Sequence, residues 1–447
     1  MSLTAIVFLV AYFSALVAAF VRHPIFGLYA YVATFYLHPV DKWWGSSLPD
    51  LRWALLAAVV TLVASLRLPG GSEGPGWKDN LAAKLLIFLT VWIWFQNLWA
   101  LDGTAHLDLS VLYAKYLILF YLIYRLVDSP ARLRHFLLAH VAGCLYLGWL
   151  VFQAPDGGRL EGVGGPGINE ANALAMQLST GAICAAALFM CGSWRSRLFA
   201  LAAIPLILNG IVQTESRGAF LGLAVGGLVV LYLSPGPLRK YWILLGVAGL
   251  AALLRVAPAN FWDRMDTIFV TAETGDAVDR SSATRLELLQ AQWQMFLTHP
   301  AGTGHRGTAY LSPRYLSDEY LSRSRSGAEA ARARSSHNTF MTALSEQGVP
   351  GAAVYLGLLG WIFTKSRQIS RRARDSGARD LHLYAMATGA SLGSIVVAGL
   401  FTDYFKTEVF VWCIVAIAVL DRLTQPALPA VEPSRPVSPV ERPGAVF

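Results

Sequence analysis

Apolar runs recur along the chain, separated by short polar connections, at 3–21, 25–40, 51–66, 81–101, 107–124, 135–153, 172–191, 197–213, 217–233, 241–256, 338–364, 382–401 and 408–421. Most approach the roughly 20 residues that a helix needs to cross a bilayer core of about 30 Å. The pattern predicts an all-α integral membrane protein, a bundle of about 12 transmembrane helices. The run 25–40 is short and ends in His38-Pro39, so it is either a short crossing or a re-entrant segment. Met1 to Val21 has neither a basic leader region nor a small-residue cleavage site, and reads as a first helix. The connection 257–336 is too long for a linker and is expected to be partly helical with a role of its own. The chain therefore divides into helices over 1–256, the large loop 257–336, helices over 337–422 and a proline-rich, disordered tail over 423–447.

Composition sharpens this picture. A hydrophobic share of 55%, a charged share of 14% and a mean hydropathy of +0.48 exclude both a soluble chain and a disordered one. Cys144, Cys184, Cys191 and Cys413 lie inside apolar runs without metal-ligand spacing, so they read as packing residues. Lysine and arginine gather in alternate connections, around Arg67, Arg132, Arg195, Arg239 and Arg371, which assigns that side to the cytoplasm. The net charge of +8 is then a topology signal and implies no nucleic acid partner. The tail falls on the cytoplasmic side; the loops 41–50, 102–106, 154–171, 214–216, 257–336 and 402–407 face outward.

Candidate chemistry collects on the outer side. Within the long loop, Leu286, Leu289, Trp293 and Phe296 recur at helical spacing, with Ser281 or Ser282 as cap and Pro300 past the end. This predicts an amphipathic helix on the bundle or at the membrane interface. Arg285 would lie in its first turn, beside free amides, where it could cradle a phosphate or pair with Glu287. Gly302-Thr303-Gly304-His305-Arg306-Gly307 lacks the ending and strand of a nucleotide-binding loop; it is a structural turn or a ligand contact. Glu215 and Arg217 break two apolar segments, so they form an ion pair, with each other or through Arg285, or hold an anionic head group. His337 stands at the mouth of the next span as a cap or as a base. Asn338 follows it, and Glu346, Gly348 and Pro350 interrupt that span. Nine residues separate Glu346 from His337, which is half a turn out of phase on a helix, so Glu346 is expected to satisfy backbone or an arginine. Asp41, beside Trp43 and Trp44, could serve a metal-dependent transfer, but reads better as an interfacial residue.

Three segments together resemble the O-antigen ligase and polymerase superfamily: Ser216-Arg217-Gly218-Ala219-Phe220-Leu221; Arg285 through Pro300-Ala301-Gly302-Thr303-Gly304; and His337-Asn338-Thr339-Phe340 through Glu346-Gln347-Gly348-Val349-Pro350-Gly351. Asn169-Glu170-Ala171-Asn172-Ala173 resembles the Asn-rich helix entry of that superfamily, and the likeness spans roughly 160–420. The resemblance implies a glycosyltransferase of the bacterial inner membrane whose active site faces the periplasm, with 257–336 as a periplasmic loop. It would move a glycan from undecaprenyl diphosphate to a sugar hydroxyl of the lipid A–core, with inversion and without a metal or other cofactor. Carried over, Arg217 and Arg285 bind the donor diphosphate, His337 deprotonates the acceptor, and Asn338, Arg306, Glu346 and Glu215 support them. Arg22-His23-Pro24 with Trp43-Trp44 also resembles the exosortase-associated O-glycosylation ligases, and O-antigen polymerases share the C-terminal pattern, so the acceptor stays open.

Overall fold

The computed structural model describes residues 1–69, 76–154, 160, 162–165, 167–257, 261–262, 278–317 and 336–425. The predicted tail beyond 425 and much of 257–336 lie outside these residues. The described chain is helical, without strands. Its α-helices are α1 Leu3–Val21, α2 Ile25–Leu37, α3 Trp53–Ser65, α4 Leu81–Gln96, α5 Gly103–Leu126, α6 Pro130–Gln153, α7 Ala171–Met190, α8 Trp194–Gln213, α9 Arg217–Leu233, α10 Gly236–Val256, α11 Val278–Thr298, α12 Gly307–Tyr315, α13 Thr339–Asp375, α14 Arg379–Ala398 and α15 Glu408–Leu423. Six of them, α1, α5, α6, α7, α8 and α14, are long and apolar enough to cross a membrane, and α3, α4 and α9 are apolar but shorter. This is a multi-pass membrane protein.

Local sequence sets the helix starts. The side chains of Ser2, Asn80, Asp102, Ser129, Ser193, Ser216 and Asn338 each accept a hydrogen bond from an N–H of the following first turn. Side-chain size sets the packing. On α9, Gly218, Gly222 and Gly226 recur every fourth residue and face α14 and the turn after it; a Cβ at Gly222 would sit 2.5 Å from the Ser394 carbonyl oxygen. This small-residue stripe lets the two backbones approach closely, as interfaces between membrane helices require. Helices α7 and α14 are buried over most of their surface and hold the centre, with α8, α9 and α13 against them. Apolar side chains on the periphery stay exposed, among them Val7, Val10 and Val17 on α1 and Leu244, Val247 and Leu254 on α10, as a lipid-facing surface allows. All four cysteines are free and buried, in line with a packing role.

Two expectations for the long loop are corrected. Helix α11 begins at Val278, so Ser281 and Ser282 lie inside it and Arg285 falls about two turns in. The free amides of a helix start therefore do not surround Arg285. The buried face of α11 is formed by Gln292 and by Leu288, Ala291 and Met295, the last three packing with Leu311 and Leu316, whereas Leu286 and Trp293 of the expected stripe are exposed. The helix has two apolar faces, and sequence spacing did not say which would be covered.

Candidate functional site at the loop-rich end

The candidate site lies at the end of the bundle where the turn 399–407 meets His305 and the starts of α7, α9 and α13. Its frame is the break in α13. Gly348 adopts φ 67° and ψ −168°, and Pro350 brings no N–H, so the carbonyls of the preceding turn lose their helical partners. Each finds another. Ser345 O accepts from Thr303 N–H (3.1 Å) and Thr303 Oγ1 (3.0 Å); Glu346 O accepts from Gly304 N–H (2.9 Å) and Gln96 Nε2 (3.1 Å); Gln347 O accepts from Trp92 Nε1 (2.8 Å). In return the Val349 N–H donates to Pro300 O at 2.9 Å. The Gly-rich run 302–307 is thus a structural turn threaded against the broken helix. Gly302, at φ 83°, is required there, because a Cβ would lie 2.5 Å from the Glu346 oxygen.

This arrangement places His305 over the buried Glu346 side chain. His305 Nδ1 lies 3.1 Å from Glu346 Oε2, and Lys406 Nζ lies 3.3 Å from His305 Nε2. A charged lysine can only donate, so Nε2 accepts and Nδ1–H donates to the carboxylate. The His305 backbone N–H donates to His106 Nδ1 (2.8 Å), whose Nε2–H donates to Ile93 O (2.8 Å), which fixes His106 as one neutral tautomer. Glu346 therefore serves a histidine rather than an arginine. Asp403 completes the group: burial and then repulsion from Glu346 push its carboxyl from 3.8 up to about 6, against the opposing hydrogen bond from the Phe405 N–H (2.9 Å).

Arg217 and His337 border the same turn, 399–404. Arg217 opens α9 behind its cap Ser216, and a Cβ on the adjacent Gly218 would lie 2.9 Å from Phe401 Cβ. Ser216 Oγ donates to Asn172 Oδ1 (2.8 Å), and Asn172 O accepts from Tyr404 Oη (2.9 Å), so the Asn-rich entry of α7 fixes both the Arg217 corner and the turn. Glu215 makes that corner with a left-handed φ of 50°. On the other flank, exposed His337 precedes Asn338, whose Oδ1 caps α13 and whose Nδ2 donates to Leu400 O (3.1 Å); Thr339 Oγ1 donates to Thr402 O (2.9 Å). Gln292 of α11 reaches this point too, donating to Ser336 Oγ at 2.9 Å. Arg285 lies seven residues before Gln292 in α11, and its side chain lies outside the described residues. Glu287, its alternative partner, accepts from the Ser317 N–H at 3.1 Å.

The other candidates sit further out. Arg306 is exposed and only 3.9 Å from Asp102, a loose surface contact. Asp41 faces His38 Nδ1 at 2.8 Å. Among the described residues, no three His, Cys, Asp or Glu side chains converge as metal ligands would.

Residues 201–356 match the family model described as O-antigen ligase. The matched segment is similar to that family over about a third of the chain. It spans Arg217, the Gly-rich turn and the break at Gly348, and ends inside α13, before the turn 399–407. No curated protein matches the chain.

Proposed function

We propose that this protein belongs to the O-antigen ligase superfamily and transfers a glycan from undecaprenyl diphosphate to a sugar hydroxyl of the lipid A–core, without a metal, at the periplasmic face of the bacterial inner membrane in a bundle of about 12 crossings. The observation that carries this reading is the shared border of Arg217 and His337 on the turn 399–404, beside a broken span. In the proposed step His337 takes the proton of the acceptor hydroxyl. Its oxygen bonds to the anomeric carbon from the face opposite the diphosphate. The sugar–oxygen bond to the diphosphate breaks, and the electron pair leaves on the lipid diphosphate, where Arg217 and Arg285 neutralise it. Asn338 and Glu215 are positioning residues, since they shape the two flanks of the turn. Glu346 acts through His305. Arg306, at the exposed rim, is assigned to the approach of the anionic donor.

The experiment is deletion in the native host, with lipopolysaccharide resolved by gel. Loss of every repeat from the lipid A–core is the expected result. A core carrying a single repeat would replace this reading with an O-antigen polymerase, and unchanged lipopolysaccharide with loss of protein glycosylation would replace it with an O-glycosylation ligase.

A further inference from the structure

The opposite end of the bundle holds a second feature that the transfer reaction does not use. A cavity of about 340 Å³ opens between the α9–α10 turn and the last turns of α13, lined by Arg239, Arg367, Arg371 and Arg374 with Tyr232 and Ser370. No carboxylate lines it. Arg374 has Asp375 beside it at 3.2 Å, while Arg239 Nε donates to Leu231 O (3.2 Å) and Ser234 O (3.1 Å), which anchors that guanidinium to the end of α9. Helix α10 begins at Gly236 on the same wall and adds the positive end of its dipole.

Basic connections on one side of a membrane follow from insertion alone, but insertion counts charges and does not gather them around one cavity. Here four arginines line one cavity without a lining carboxylate, so their like charges repel one another. An anion in the cavity relieves this repulsion, and a planar guanidinium suits phosphate oxygens. The cavity also adjoins an apolar lane. Tyr232 is 56% exposed, and Leu228 and Leu244 on the same two helices are 63% and 66% exposed.

We propose that this cavity binds the phosphate-bearing head group of an anionic phospholipid, with an acyl chain lying along α9 and α10. The site is independent of the glycan-transfer reading. The test uses full-length protein in a neutral detergent, with dioleoyl phosphatidylglycerol, dioleoyl phosphatidylcholine or inorganic phosphate added at matched concentration, reading the thermal unfolding midpoint. Phosphatidylglycerol should raise the midpoint and phosphatidylcholine should not. The double substitution Arg367→Gln/Arg371→Gln should remove at least half of that rise, while Arg22→Gln/Arg195→Gln, equal in charge and away from the cavity, should keep it. Equal responses of the two double variants would overturn the site in favour of a diffuse basic surface. A rise with inorganic phosphate equal to that with the lipid, lost in the first variant, would overturn the lipid and leave a soluble phosphate. Native mass spectrometry of retained phosphatidylglycerol reads the same difference directly if the variant is already less stable without lipid.

Discussion

The two ends of the bundle solve the same problem, unsatisfied backbone at helix termini, by different means. At the basic end long cations reach back to carbonyls, Arg422 Nη2 to Val127 O (2.9 Å) and Arg125 Nη2 to Leu68 O (3.1 Å), while Lys365 and Arg372 share the buried side-chain carboxylate of Asp421 at 2.9 and 3.0 Å. Exposed contacts at this end, such as Arg132 with Asp128, could be lost at little cost, whereas the buried Asp421 carboxylate depends on its two cations. At the loop-rich end the backbone itself is rewired. Three carbonyls of α13 accept from a turn more than forty residues away in sequence, from buried Gln96 and from half-buried Trp92. Such a frame holds polar groups at fixed positions in a poorly solvated place, as a site that develops charge needs. On the proposed reading, arginine content does not mark the reactive end; the broken helix and its buried hydrogen bonds do.

This contrast can be broken by substitution. Gly302→Val should have the largest effect, because it adds a clash with the Glu346 carbonyl at a positive φ. We expect a loss of roughly 2–5 kcal/mol, seen as a large drop in the detergent unfolding midpoint. Gln96→Leu removes donors to both Ala301 O and Glu346 O inside the bundle and should cost roughly 1–3 kcal/mol by the same measurement. Asp403→Asn sharpens the electrostatic side. A carboxyl raised from 3.8 to about 6 binds its proton more tightly in the folded state, so its contribution is present at pH 4, is lost as pH rises through about 6, and stays lost above. The wild type should therefore lose up to roughly 2 kcal/mol between pH 4 and 6, and the Asn variant should show a flatter midpoint-against-pH profile over that window. Arg132→Gln, which breaks the exposed pair with Asp128 at the basic end, should change stability by less than about 1 kcal/mol. A cost at Arg132 as large as at Gln96 would erase the difference between the ends.

Much of the fold was legible because apolar runs of membrane length leave few alternatives. Helices α1, α7, α9 and α14 follow the sequence to within a few residues, and the break at Gly348 and Pro350 was visible as two helix-disfavouring residues in one run. The covered face of α11 was not legible, since both its faces are apolar and only the tertiary neighbours Leu311 and Leu316 choose between them. The partner of Glu346 was missed for a related reason. His305 was visible in the Gly-rich run, but its approach to Glu346 depends on backbone pairing between segments 41 residues apart, which has no local signal. Asp403 and Lys406 offered one hint, two charges in a short connection between apolar runs.

The most direct test of the central claim is transfer by purified protein in detergent, from undecaprenyl-diphosphate-linked glycan to lipid A–core, with wild type compared with His337→Ala and Arg217→Ala at equal folded amounts. The account predicts product from the wild type, undiminished in excess EDTA, and a fall of at least about 100-fold in each variant, the scale of losing a general base or an electrostatic clamp. Transfer by either variant at the wild-type rate would contradict it.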